Sequence, residues 1–197
     1  MKTRVVLLAA GKGTRMRSRL PKLLHPLSGQ PMLLHAIQAV EGVGESVPLV
    51  VVGHDAEALR TAIGSRADFV EQAEQLGTGH ALQQARTTCE GTVDLVLVSN
   101  ADLPLLTTAT LKQLVATQKM NKGPLTMLTL KQREARGFGR VKRSSSGAVL
   151  AIIEEAEASP EELAIDELNV GAYCFRSDWL WPALEKLKPS PKKKEYY

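Results

Sequence analysis

The chain has 197 residues, 25 of them Lys or Arg and 21 Asp or Glu, with two Cys and 44% hydrophobic side chains. That length suits one domain with a sizeable core, or at most two small ones. A charged fraction of 23% without low-complexity tracts excludes a disordered chain. No apolar run approaches the roughly 18 residues of a membrane-spanning helix. Met1 to Arg4 followed by Val5 to Ala10 mimics a secretory leader, but the apolar stretch is too short and runs into Gly11-Lys12-Gly13. Cys89 and Cys174 show no ligand spacing and read as ordinary thiols of a reducing cytoplasm.

The formal charge of +4 is carried by one segment, because Lys12, Arg15, Arg17, Arg19 and Lys22 lie close together with no acid among them. The rest of the chain is close to neutral. A second basic cluster, ending in Lys192-Lys193-Lys194, reads as a solvated charge run. Aromatics make up 4%, without the basic–aromatic alternation that stacks single-stranded bases, so nucleic acid is disfavoured as a partner.

In chain order, Val5–Ala9, Val47–Val52 and Val93–Val98 are short, β-branched-rich and bounded by Gly, Pro or Asp, the pattern of buried strands. Met32–Val40, Ala56–Ile63 and His80–Cys89 fit helical spacing, and Thr108–Met120 adds a further helix. Strand and helix alternating at this pitch predict an α/β, Rossmann-like, mostly parallel sheet flanked by helices. Leu125–Leu130 continues as a strand. Phe138–Arg143 and Ala148–Ile153 then predict a hairpin around Ser144 to Gly147. Ser159-Pro160-Glu161-Glu162 has a capping-box helix start, Leu168–Phe175 reads as a strand and Ser177–Leu187 as a helix. With no long linker and no internal repeat, the expectation is one domain over 1–197 carrying a small antiparallel insertion.

The first strand ends in Ala10-Gly11-Lys12-Gly13-Thr14-Arg15-Met16, with Pro21-Lys22 shortly after. Parallel sheets bind ligands at the carboxyl ends of their strands. Glycines there let backbone N–H groups approach a polyanion, and Arg15 and Lys22 supply compensating charge. A Walker loop is excluded, since no Gly precedes at the required spacing, and Met16 stands where a dinucleotide fingerprint needs its third Gly. Asp102, in Ser99-Asn100-Ala101-Asp102-Leu103-Pro104, is a carboxylate at a strand exit, suited to Mg²⁺ or to a simple turn before Pro. His25, His35, His54 and His80 show no metal spacing and read as surface, packing or capping residues.

The string Leu8 to Met16 with Pro21-Lys22 resembles the signature of sugar nucleotidyltransferases. Gln72-Ala73-Glu74-Gln75-Leu76-Gly77-Thr78-Gly79-His80-Ala81 is similar to the second signature of the bacterial bifunctional N-acetylglucosamine-1-phosphate uridyltransferase/glucosamine-1-phosphate acetyltransferase family, in its uridyltransferase domain. The resemblance implies that Arg15 and Lys22 act in catalysis. It implies a nucleotide held by Leu8, Ala9, Ala10, Gly11, Gly13, Gln72, Gly77, Thr78, Asn100 and Asp102. A sugar would be held by Gly139, Glu154 and Asn169, and Mg²⁺ by Asp102. An amide such as Gln72 suits a uracil edge, offering donor and acceptor side by side, while Thr78 also reads as the cap of the helix that follows. The family's usual aromatic-Gly-Asp is replaced by Asn100-Ala101-Asp102, so base or ribose contacts at this strand end are open to change.

The implied reaction joins UTP and N-acetylglucosamine 1-phosphate to give UDP-N-acetylglucosamine and pyrophosphate, a precursor step for peptidoglycan and lipopolysaccharide in the cytoplasm. A Mg²⁺-dependent in-line attack on the α-phosphorus is the expected chemistry. The family pattern continues past residue 197, with a second metal-binding Asn and a hexapeptide-repeat acetyltransferase segment that these residues lack, so a C-terminally truncated chain is expected. Homo-oligomers are associated with that further part, and no membrane partner is expected. Two other readings stay open: a related nucleotidyltransferase with another base or sugar, and a non-catalytic nucleotide-binding domain.

Overall fold

A computed structural model describes residues 1–133, 136–191 and 194–197. Lys192 and Lys193 of the basic tail and the side chain of Arg15 lie outside the described residues. In chain order the elements are β1 (Thr3–Leu8), β2 (Pro26–Leu27), β3 (Gln30–Pro31), α1 (Met32–Val40), β4 (Leu49–Val52), α2 (Ala56–Ile63) and β5 (Asp68–Glu71). They continue with α3 (Thr78–Gln83), α4 (Arg86–Cys89), β6 (Leu95–Asn100), α5 (Thr108–Met120), β7 (Leu125–Lys131) and β8 (Arg140–Arg143). Last come β9 (Val149–Ile153), α6 (Pro160–Leu163), β10 (Glu167–Arg176) and α7 (Ser177–Glu185). The chain forms two compact units, Met1–Thr126 with Tyr173–Tyr197, and Met127–Ala172.

In the first unit the strands run β5-β4-β1-β6, and each of these pairings is parallel. All four residues of β4 are buried, as are Leu95 to Ser99 of β6, which is what a parallel sheet with both faces covered requires. On one face Val6, Leu49, Val51, Val96 and Val98 meet Ala81 and Leu82 of α3, Ala85 between α3 and α4, Cys89 of α4, and Leu180, Trp181 and Leu184 from α7. The alternate residues Val5, Leu7, Val50 and Leu97 point the other way by the two-residue strand period and are equally buried. Leu33 and Ile37 of α1 and Leu111 of α5 are buried too, and the two helices pack together.

The helices Met32–Val40, Ala56–Ile63 and Thr108–Met120 fall where their periodicity predicts. The predicted helix over His80–Cys89 does not: it starts earlier, at Thr78, and is interrupted at Gln84 and Ala85. The cause is a side chain. Gln84 Nε2 donates to the His80 carbonyl at 3.0 Å, and the Gln84 and Ala85 N–H groups turn to the i−3 carbonyls of Ala81 and Leu82. The β2–β3 hairpin and β5 were not expected. Ser28 (φ 50°) and Gly29 (φ 85°) give the hairpin its left-handed two-residue turn.

The second unit holds the segment expected as an antiparallel insertion. β8 pairs antiparallel with β9 and with β10, and Ser144 N–H donates to Ala148 O at 2.9 Å to close the predicted turn. The capping box forms as expected, with Ser159 and Glu162 satisfying each other's backbone N–H. Arg143 holds Glu167 through two hydrogen bonds of 2.7 Å. That guanidinium drives the Glu167 carboxyl from 4.5 down to about 2. A depressed carboxyl contributes stability that is fully present above its unfolded value and is lost as pH falls through its folded one. The thermal midpoint is therefore expected to drop between pH 4.5 and about 2, and Glu167→Gln should flatten that drop in a calorimetric pH series. An unchanged slope would remove Glu167 from the acid response.

Candidate functional site: a strand-exit nucleotide cradle

Register builds the site. Leu8 of β1 lies level with Val51 of β4 and Asn100 of β6, and Val52 lies level with Glu71 of β5. The ladder runs on past the strand ends: Ala9 N–H donates to Val51 O at 2.8 Å, Gln72 N–H to Val52 O at 2.8 Å, and Ala101 N–H to Leu8 O at 3.0 Å. Gln72, the Ala9-Ala10-Gly11 turn and Asn100-Ala101-Asp102 therefore leave one sheet edge together, at the carboxyl ends where such sheets bind ligands. Ala101 is fully buried, so its methyl is covered by protein.

Gly13 takes a left-handed φ of 59° and leads into a single turn over Thr14–Met16, closed by Met16 N–H to Gly13 O at 2.9 Å. A methyl at Gly13 would stand 2.6 Å from Lys22 Cβ, so this glycine lets the loop lie against Lys22. Lys22 opens its own short turn, anchored by buried Leu23. Its Nζ donates to Asp102 Oδ2, and the pair is part-exposed. Lys12, Thr14, Arg17, Arg19 and His54 line a hollow of about 540 Å³ on the flank of this loop. A second hollow of about 410 Å³, near Met1, Asp94 and Trp181, lies at the amino ends of β1 and β6, away from the cationic loop.

Lys22 and Asp102, both singled out in the sequence, are brought into contact across 80 positions. Among the described residues no group of three or more His, Cys, Asp or Glu gathers as a metal site. Asp102 alone still fits Mg²⁺, which keeps several waters and binds through one or two carboxylates plus substrate phosphates. Lys22 is the only described partner of this part-exposed carboxylate.

Gln72 is 2% exposed, not the solvent-facing residue a strand end would leave. Its Nε2 donates to Gly77 O at 3.1 Å and faces His80 Nδ1 at 2.9 Å. Gly77 has φ 105°, and Tyr196 N–H donates to Leu76 O at 2.7 Å while Gly79 N–H donates to Tyr196 O at 2.8 Å. The capping role read for Thr78 is not observed. Thr78 is the first residue of α3, Gly77 holds the cap position, and no side chain caps that end. His80 also departs from the sequence reading, since its ring is bonded to the Gln72 amide. The available signal was its place inside the Gln72–Ala81 string.

Within the second unit, Asn169 N–H donates to Gly139 O at 2.8 Å, and Glu154 Oε1 lies 3.4 Å from where a Gly139 side chain would begin. The structure thus brings Gly139, just before β8, Glu154, just after β9, and Asn169 of β10 together.

A mostly parallel sheet whose first strand exits into a cationic glycine loop, beside a carboxylate on the next strand's exit, defines a nucleotidyltransferase arrangement. The chain belongs to the family described as the MobA-like NTP transferase domain, which matches residues 5–195. It is 44% identical over 196 residues to the bifunctional protein GlmU of Heliobacterium modesticaldum, covering 100% of this chain and 43% of that protein. The GlmU of Enterococcus faecalis is 41% identical over 192 residues, 98% of this chain and 42% of its own length. The chain thus spans less than half the length of these relatives. Among solved structures, a UDP-glucose pyrophosphorylase complexed with UDP-glucose shares the fold at TM-score 0.77 and 19% identity, over 98% of this chain and 83% of that one. A CMP:2-keto-3-deoxy-manno-octonic acid synthetase complexed with CTP does so at TM-score 0.71 and 21% identity, over 97% and 80%.

Gly13→Ala tests the cradle's backbone. The left-handed conformation alone costs a non-glycine residue about 1–2 kcal/mol, and the added methyl pushes on Lys22. A lower urea midpoint with weakened nucleotide binding is expected; unchanged values of both would detach Gly13 from the site.

Proposed function

We propose that this chain transfers a uridylyl group from UTP to N-acetylglucosamine 1-phosphate, releasing pyrophosphate. One observation carries the reading: Lys22 and Asp102 sit in contact at the strand exits, on the sheet edge where Gln72 also emerges. Likeness to proteins named bifunctional protein GlmU supports the choice of base and sugar. In this reading Gln72, Leu8 to Gly11, Gly77, Thr78 and Asn100 receive the nucleoside, and Gly13, Arg15 and Lys22 receive the phosphates. Gly139, Glu154 and Asn169 receive the sugar, and Asp102 holds Mg²⁺. The reaction belongs in the cytoplasm, upstream of cell-envelope polysaccharides.

The chemistry asks little of a general base, because the attacking phosphate is already ionised at neutral pH. What opposes reaction is the approach of two polyanions. Lys22 answers this by charge: its ammonium rests on Asp102 and faces the phosphates when nucleotide is bound. Arg15, on the same loop, adds a second cation and a planar donor array. The backbone N–H groups of the glycine turn orient the phosphates without side-chain reorganisation. Mg²⁺ held at Asp102 supplies further neutralisation of the phosphate oxygens.

Lys22→Ala is expected to lower turnover by roughly 100-fold or more, the cost of removing one such electrostatic donor, with an unchanged circular-dichroism melt. Near-normal turnover would strip Lys22 of its role. Chelation by EDTA should abolish activity and added Mg²⁺ restore it; full activity in EDTA contradicts the role of Asp102. A pyrophosphate-release assay across four NTPs and several sugar 1-phosphates tests the whole reading. Turnover with UTP and N-acetylglucosamine 1-phosphate supports it. Turnover with another pair, or nucleotide binding without turnover, overturns it.

A further inference from the structure

The base-side loop contains a contact that the proposed chemistry does not use. Gln72 Nε2 carries two hydrogens, and both have acceptors: Gly77 O at 3.1 Å and His80 Nδ1 at 2.9 Å. A backbone carbonyl only accepts, so Gly77 fixes which end of the amide faces inward. His80 Nδ1 must then carry a lone pair, with the proton on Nε2. The competing tautomer would let Nε2 accept from Gln84 Nε2, but that approach is 3.4 Å, and Gln84 Nε2 already donates to the His80 carbonyl at 3.0 Å. The shorter contact decides the tautomer.

The consequence falls on the opposite end of the amide. Gln72 Oε1 has no hydrogen-bond partner among the described residues and is not sealed from solvent. The backbone of Gln72 is held as well, by its own N–H to Val52 O at 2.8 Å and by Gln75 Nε2 to its carbonyl at 3.2 Å. The side chain therefore presents an acceptor and withholds its donors. For a base that turns its N3 edge to this oxygen, the acceptor would meet the N3–H of uracil or thymine. Against cytosine it meets the N3 lone pair, and two lone pairs repel.

We propose that His80 is a positioning residue for base selection: it locks the Gln72 amide so that Oε1 faces the pyrimidine, favouring uracil over cytosine. This rests on the reading of Gln72 as the base contact. Without the His80 acceptor, one amide hydrogen loses its partner and the Gly77 carbonyl alone holds the amide, so the rotated orientation that offers Nε2 outward, which suits cytosine, becomes less costly.

The test is equilibrium titration of the 197-residue chain and its variants with UTP, dTTP and CTP. Variants are His80→Leu, His80→Asn and Gln72→Ala, each checked by thermal melting. For His80→Leu the UTP-over-CTP affinity ratio is expected to fall about tenfold or more, because a polar site discriminates through the donor or acceptor it presents. UTP and dTTP should weaken in parallel, since both carry N3–H. His80→Asn returns an acceptor oxygen to the loop and should recover most of the ratio. If His80→Leu weakens UTP and CTP equally, or changes neither, while Gln72→Ala erases the ratio, the positioning role is overturned and the base contact stands. If Gln72→Ala keeps the wild-type ratio, the base contact itself fails and the proposal with it.

Discussion

Parallel pairing of four short strands in register is the constraint from which the site follows. Because Leu8 stands level with both Val51 and Asn100, and Val52 with Glu71, the chain leaves the sheet at one edge each time a strand ends. The ladder bonds to Val51, Val52 and Leu8 extend this alignment into the first loop residues. A one-residue slip of β6 would move each of its side chains to the opposite face of the sheet. Ala101 would leave its buried place and Asp102 would no longer meet Lys22. The apolar core and the Lys22–Asp102 contact thus depend on the same hydrogen-bond register.

Charge is distributed to match. The cations of the first loop stand at a strand exit, while Asp102 gives Lys22 a resting partner. A part-exposed pair of this kind contributes little to stability, since solvent screens it. In the proposed reaction its value would lie in place: the ammonium is held at the exit of β6 by a part-exposed partner it can leave at small cost. In the second unit, Arg143 and Glu167 form the contrasting case, a two-bond pair beside a largely covered carboxyl that resists acid.

Much of this was legible in residue patterns. The helices Met32–Val40, Ala56–Ile63 and Thr108–Met120, the Ser144–Gly147 turn and the Ser159 capping box are local features, encoded within a few residues of each other. What escaped the sequence depends on contacts between distant or competing groups. The break at Gln84 arises from one side-chain amide taking a helix carbonyl. β5 is four residues long with a half-exposed pattern, too weak to announce itself before it pairs with β4. Lys22 and Asp102 each carried a signal, but only the fold brings them together. Gln72 gave no hint of being buried, and His80 none of being an acceptor, because both properties come from the path of the loop.

The bracing of that loop by residue 196 reaches into biosynthesis. Tyr196 closes hydrogen bonds on Leu76 and Gly79, so two stretches far apart in the sequence must meet before the Leu76–Gly79 turn is braced. Ribosomes add only about 5–20 residues per second, which leaves the nascent glycine turn waiting for seconds on a partner not yet translated. The strands from β1 to β6 can pair in that interval, ahead of the bracing of the Leu76–Gly79 turn.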